Sequence, residues 1–194
     1  YQLLAIILLW NAGYKGVRVA NTLYALELGA GPFDTGLLLA VYGVFPLLLA
    51  VHIGKLGDRY GVRLPVVAGT VISALGILLP WIWPAYPMLF ISAAVSGAGF
   101  ILVQVSMQSL VGSLGSGTAR TRNLNLYALI VSVSDLLGPV LSGLSIDHFG
   151  HVRTYLYLAL LTVPSLLAWF FLAHRLPHHG AGGSDRSRQR MMDL

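Results

Sequence analysis

Six runs dominated by apolar residues divide the chain, and short polar, glycine- or proline-bearing segments separate them. The runs are about Leu3–Leu28, Gly36–Leu56, Leu64–Trp83, Met88–Leu110, Asn123–Ile146 and Thr154–Ala173. Each holds 20 to 26 residues. A helix needs roughly 20 residues to cross a hydrocarbon core of roughly 30 Å. The apolar character extends around most of each run, unlike the single stripe of a soluble amphipathic helix. Helix is the expected conformation, because in lipid every backbone N–H and C=O must find its partner within the segment. The pattern predicts an all-α integral membrane protein with six transmembrane helices.

The breaks carry turn chemistry. Gly29, Ala30, Gly31 and Pro32 make the first, and Trp83, Pro84, Ala85, Tyr86 and Pro87 the third, with aromatic rings suited to the headgroup level. Gly112, Ser113, Gly115, Ser116 and Gly117 predict a flexible fourth loop. Beyond Ala173 the composition changes to Gly, Ser, His and Arg, which predicts a solvated linker or tail over 174–194 after a six-helix domain over 1–173. The chain opens on Tyr1 without a basic leader or cleavage site, so no signal peptide is read and a piece of a longer protein is expected.

Composition agrees with the pattern. Of 194 residues 56% are hydrophobic and 10% charged, against about 25% charged in a soluble domain. Twelve Lys and Arg outnumber seven Asp and Glu, but the excess is a topology signal and not a nucleic-acid footprint. Lys55, Arg59, Arg63, Arg120, Arg122, Arg175, Arg186, Arg188 and Arg190 flank the second and fourth connections and the tail, nine on one side, while the other side has only Arg153. By the positive-inside rule the nine face the cytoplasm of a cell membrane, and both termini with them. There is no cysteine, hence no disulfide and no thiolate chemistry. His174, His178 and His179 lack an accompanying carboxylate, and no metal or cofactor is expected.

The second connection reads GKLGDRYGVR from Gly54 to Arg63. Gly54, Leu56, Asp58, Arg59, Gly61 and Arg63 resemble the signature that the major facilitator superfamily carries between its second and third helices; Val62 stands where the family usually has a basic residue. The resemblance implies that this loop latches the two halves of a transporter in one state. It also implies that the chain is the N-terminal six-helix half of a twelve-span protein, built as a three-plus-three inverted repeat. A missing C-terminal half, or a second copy of this chain, would then be the partner. LLGPVLSG in the fifth span resembles a motif of the superfamily's exporters and antiporters through Gly138, Pro139 and Gly143, with Ser142 replacing a glycine. Proline there is expected to kink the helix, and Gly138, Ser142 and Gly143 to let a neighbour approach closely. The spacing of Gly54, Asp58 and Gly61 returns at Gly143, Asp147 and Gly150, 89 residues later, as inverted repeats would give.

Ionisable residues at mid-depth are costly and need partners or a watery cavity. Asn11, Lys15, Arg18 and Thr22 form a narrow polar stripe on the first span, with the two cations near the midplane. Two readings stay open: the stripe lines a path for a small solute and attracts an anionic or hydrogen-bond-accepting group, or it is neutralised structurally. Asp135, also near mid-depth, shares a face with Ser132 and Ser142, and a charge cluster of Lys15, Arg18 and Asp135 is predicted. Asp135 is either a proton-coupling acid or a static counter-ion. Gln104 and Gln108, one turn apart, either contact solute or bond to another helix. Glu27 and His52 read as interfacial residues. GSLGSGT, at Gly112–Thr118, lacks the lysine of a phosphate-binding loop, and no nucleophile, base or metal set suggests an enzyme. The leading expectation is a secondary transporter of small solutes working by alternating access, proton-coupled and tilted toward efflux. A non-transporting assembly or receptor module with the same fold is the alternative.

Overall fold

The computed structural model describes the backbone of residues 2–60, 62–113 and 116–173, and the side chains of 5–44, 47, 48, 62–113 and 116–167. Within these residues the chain forms six α-helices: α1 (Gln2–Glu27), α2 (Pro32–Tyr60), α3 (Arg63–Ile82), α4 (Tyr86–Ser113), α5 (Thr118–Phe149) and α6 (His151–Ala173). Over their described residues, α3, α4 and α5 are long and apolar enough to cross a membrane. Helix α1 has the length, 26 residues, but Asn11, Lys15, Arg18 and Asn21 interrupt its apolar surface.

The helices overrun the apolar runs. Most of the expected second loop is helix, since α2 continues through Gly54, Leu56, Asp58 and Arg59 to Tyr60. Gly112 and Ser113 complete α4, while Arg120 and Arg122 lie in the opening turns of α5. The fifth connection is Gly150 alone, so Arg153 belongs to the first turn of α6. The reason is physical: hydropathy marks where hydrocarbon ends, but a helix continues into the headgroups until the backbone is broken. Gly150 breaks it with φ +77, a left-handed conformation that costs a residue with a Cβ about 1–2 kcal/mol. Pro32 starts α2 where its missing N–H is no loss, and Asp34 accepts the Gly31 N–H at 3.2 Å, one half of a capping box. Helix α5 runs through Pro139 without interruption.

The neighbour pattern has an internal symmetry. Helix α3 packs along α4 and α6 along α1; α1 packs along α5 and α4 along α2; α3 meets α6. Exchanging α1–α3 with α4–α6 maps this set of contacts onto itself, which is the mark of a three-plus-three repeat. The sequence echo falls in register with it, because α2 ends at Tyr60 and α5 at Phe149, 89 residues apart.

Small residues bring the backbones together. At Gly99 of α4 an added Cβ would collide with the Ser73 backbone N–H and lie 2.5 Å from the Gly69 carbonyl oxygen of α3. At Gly138 of α5 it would lie 2.7 Å from the Ala12 carbonyl oxygen and 2.7 Å from Lys15 Cβ of α1. Ser134, Gly138 and Ser142, spaced by four, are the buried face of α5. Gly143 is not part of it: nothing lies within 4 Å of its missing Cβ. Five residues turn a helix by roughly 140° past a full turn, so Gly143 cannot share a face with Gly138. For the same reason Asp135, one step from Ser134, sits at the border of that face with Ser132 exposed and Ser142 buried.

Candidate functional site

The polar residues of α1 are graded along the helix. Asn11 is buried and its side-chain amide donates to the Ile7 carbonyl at 3.0 Å. Lys15 is half-buried, Arg18 is exposed, and the Thr22 hydroxyl donates to the Arg18 carbonyl at 3.0 Å. The close approach of α1 and α5 at Gly138 sets Lys15 beside Asp135, one turn away. Lys15 Nζ lies 2.6 Å from Asp135 Oδ1. The side chains keep 21% and 49% of their exposure, so the pair sits at an open border and not in a sealed core. Lys15 Nζ also lies 5.8 Å from the Phe100 ring centroid on α4.

Arg18 does not join that pair. Among the described residues it has no carboxylate within ion-pair distance. Its guanidinium carbon lies 5.7 Å from the ring centroid of Tyr42 on α2, a cation–π distance. The expected three-charge cluster is therefore a pair plus a separate cation. Gln104, one turn beyond Phe100, has a buried Oε1 with no hydrogen-bond partner, while Gln108 is exposed.

An aromatic wall that the sequence reading passed over supports these groups. Tyr14 stacks on Phe100 with centroids 3.8 Å apart, Trp10 stacks on the same ring at 5.1 Å, and Tyr14 meets Tyr42 edge-on at 6.0 Å. Asn21, fully buried, locks Tyr42 in place: its amide donates to the Tyr42 hydroxyl at 2.7 Å. Asn21→Ala would remove one of the two side-chain partners of that buried hydroxyl, leaving Ser96, and is expected to cost about 0.5–1.5 kcal/mol of stability. Thermal unfolding in detergent reads the loss, and an unchanged midpoint would show that the bond contributes nothing. Asn21 lies one turn past Val17, beside Thr22 and within the span, so its polarity at that depth is the available signal.

Glu27 is more than an interfacial residue. Its carboxylate lies 2.6 Å from His151 Nδ1, and that imidazole stacks on Tyr24 at 5.5 Å. The contact ties the end of α1 to the start of α6. The side chains of Gly54, Leu56, Asp58 and Arg59, residue Gly61, His52, and the tail with His174, His178 and His179 lie outside the described residues; Arg63 opens α3 and is exposed. An open cavity of about 930 Å³ lies along the first turns of α5 by Thr121, Arg122 and Asn125, away from the Lys15–Asp135 pair.

Comparison with known proteins gives the setting. The family described as Major Facilitator Superfamily matches residues 3–192. The chain is 27% identical over 168 residues to an uncharacterized transporter of Buchnera aphidicola subsp. Schizaphis graminum, covering 86% of this chain and 42% of that protein. It is similar at 21% identity over 120 residues to the quinolone resistance protein NorA of Staphylococcus aureus, covering 62% of this chain and 31% of that one. In three dimensions it resembles a mutant peptide transporter POT crystallised with sulfate, with a TM-score of 0.82 at 16% identity, over 99% of this chain and 42% of that one. The chain thus spans less than half the length of the relatives it matches.

Proposed function

The chain belongs to the major facilitator superfamily, and from that premise we propose that it forms one half of a secondary transporter for small solutes. Six membrane-crossing helices bring Asn11, Lys15, Arg18, Thr22, Gln104 and Gln108 toward a solute path, facing a second six-helix half or a second copy of this chain. Alternating access between the halves moves the solute. The observation that carries this reading is the Lys15–Asp135 pair midway along α1 and α5, with both side chains partly exposed. Charges are retained within a bilayer where they serve a path or a relay.

Asp135 is the proton-coupling acid in this proposal, with Lys15 as its counter-ion. Taking up a proton dissolves the pair and giving it up restores it, which makes two discrete arrangements for a cycle to alternate between. The direction is efflux. The name of the Staphylococcus relative, a quinolone resistance protein, and the partial exporter motif at Gly138 and Pro139 support it. The chain lies in a cell membrane with Arg63, Arg120, Arg122 and both termini in the cytoplasm. Gly54, Leu56, Asp58, Arg59, Gly61 and Arg63 latch this half to the other, and 174–194 is a cytoplasmic linker.

The test is counterflow in proteoliposomes with a panel of labelled organic solutes. Transient accumulation against an unlabelled load is expected for at least one solute, and collapse of the pH gradient is expected to abolish net movement. A folded, bilayer-inserted protein that accumulates none would make the chain an assembly module instead.

A further inference from the structure

We infer that the solute is a small organic anion whose charge is taken by Arg18, an inference that rests on the transporter reading above and names its substrate class. The argument begins with the charges that can reach the site. Helix α4 carries no charged residue. The charged residues of α3 and α6 stand in their first turns: Arg63, His151 and Arg153. Helix α2 has Asp34 near its start, and Asp58 lies 16 residues beyond Tyr42, about 24 Å along the axis. On α5, Arg120, Arg122, Asp147 and His148 lie toward its ends. Glu27, at the end of α1, is paired with His151, so among the described residues the middle of the bundle holds Lys15, Arg18 and Asp135.

Lys15 and Asp135 neutralise each other at 2.6 Å, so the site carries one net positive charge, and it is on Arg18. A cationic solute would meet repulsion from Arg18 and would have to displace Lys15 to reach Asp135. An anion meets a guanidinium whose planar fork matches a carboxylate with two parallel hydrogen bonds. The fork is held over the Tyr42 ring, and Asn21 fixes that ring through its hydroxyl. Burial of Tyr42 and Asn21 makes the platform rigid, so little ordering is needed when the anion arrives.

The experiment uses three probes of matched shape: benzoate, benzamide and benzylamine. Binding to the full chain in detergent is followed by thermal shift and by displacement of labelled benzoate. Benzoate is expected to bind at least about tenfold more tightly than the other two, a difference of ~1.4 kcal/mol. Arg18→Gln is expected to erase that preference, while Arg18→Lys keeps part of it. Equal or tighter binding of benzylamine or benzamide overturns the inference. So does benzoate affinity that survives Arg18→Gln, or no benzoate binding up to millimolar concentration. Counterflow of a neutral or cationic solute by the same preparation would then show that transport stands and only the substrate class has failed.

Discussion

Gly99→Ala is expected to destabilise the bundle by about 3 kcal/mol, the upper end for forcing an extra carbon into a packed interior. For a chain of this length that is roughly 6–12 °C in apparent melting temperature. The new methyl would collide with the Ser73 N–H and stand 2.5 Å from the Gly69 carbonyl oxygen and 2.9 Å from Ser73 Cα. All three are backbone atoms, so no rotamer change relieves the clash and α3 must move away from α4. The pair is held by close contact of small residues; on the same seam a Cβ added at Gly76 would lie 2.5 Å from the Ser96 backbone nitrogen. Between helices in lipid such contact is the main source of association, so separation along the seam loses it over its whole length. Gly43→Ala and Gly36→Ala are the controls: nothing lies within 4 Å of either missing Cβ, and alanine is the better helix former by about 1 kcal/mol. They are expected to melt with the parent or above it. Gly138→Ala should resemble Gly99→Ala in stability and add a loss of transport, because its methyl would push against Lys15 Cβ. If Gly99→Ala melted with the parent, the α3–α4 seam would not be the close contact described here.

Much of this was legible in the sequence because a bilayer leaves few solutions. Six apolar runs of sufficient length must be helices, and they are. Lys15 and Asp135 could be matched across 120 residues because mid-depth charges are so few that each has few possible partners. What failed to be legible was set by rotation and by tertiary partners. Gly143 shares a motif with Gly138, while the helix turns its missing Cβ to open space. Glu27 looks plain until α6 brings His151 to it. Asn21 has no sequence neighbour that explains it, because the Tyr42 hydroxyl and the Leu89 carbonyl it faces lie on α2 and α4. Arg18 shares a stripe and a depth with Lys15, which is what points to one cluster with Asp135. Three residues leave a net rotation of roughly 60° and a rise of roughly 4.5 Å, and the long Arg18 side chain meets the ring of Tyr42 while Lys15 meets Asp135. Helix ends were misjudged for a different reason, since water tolerates helix as readily as loop.

The other large effect is expected at the Lys15–Asp135 pair, and it separates a coupling acid from a counter-ion. Lys15→Met and Asp135→Asn each leave one member without its partner. Where the pair opens on a water-filled solute path, as proposed, water screens the orphaned charge, and stability should fall by no more than about 1 kcal/mol. Transport driven by a pH gradient should fall far more, at least about tenfold or ~1.4 kcal/mol in the barrier, because the pair no longer opens and closes with the proton. The double variant Lys15→Met with Asp135→Asn removes both charges and strands neither. It is expected to keep counterflow, which needs no proton, and to lose accumulation against a pH gradient. A static counter-ion makes the opposite forecast: with both charges gone there is nothing left to neutralise, and gradient-driven accumulation should return with the counterflow. The exchanged variant, Lys15→Asp with Asp135→Lys, gives a third reading. It restores the ion pair and should restore melting, but it moves the titrating carboxylate from α5 to α1, beside Arg18. There the carboxylate would pair with the guanidinium and compete with the solute. Full gradient-driven transport by the exchanged protein would mean that the position of the acid is immaterial, and Asp135 would then be only the charge that keeps Lys15 in the membrane.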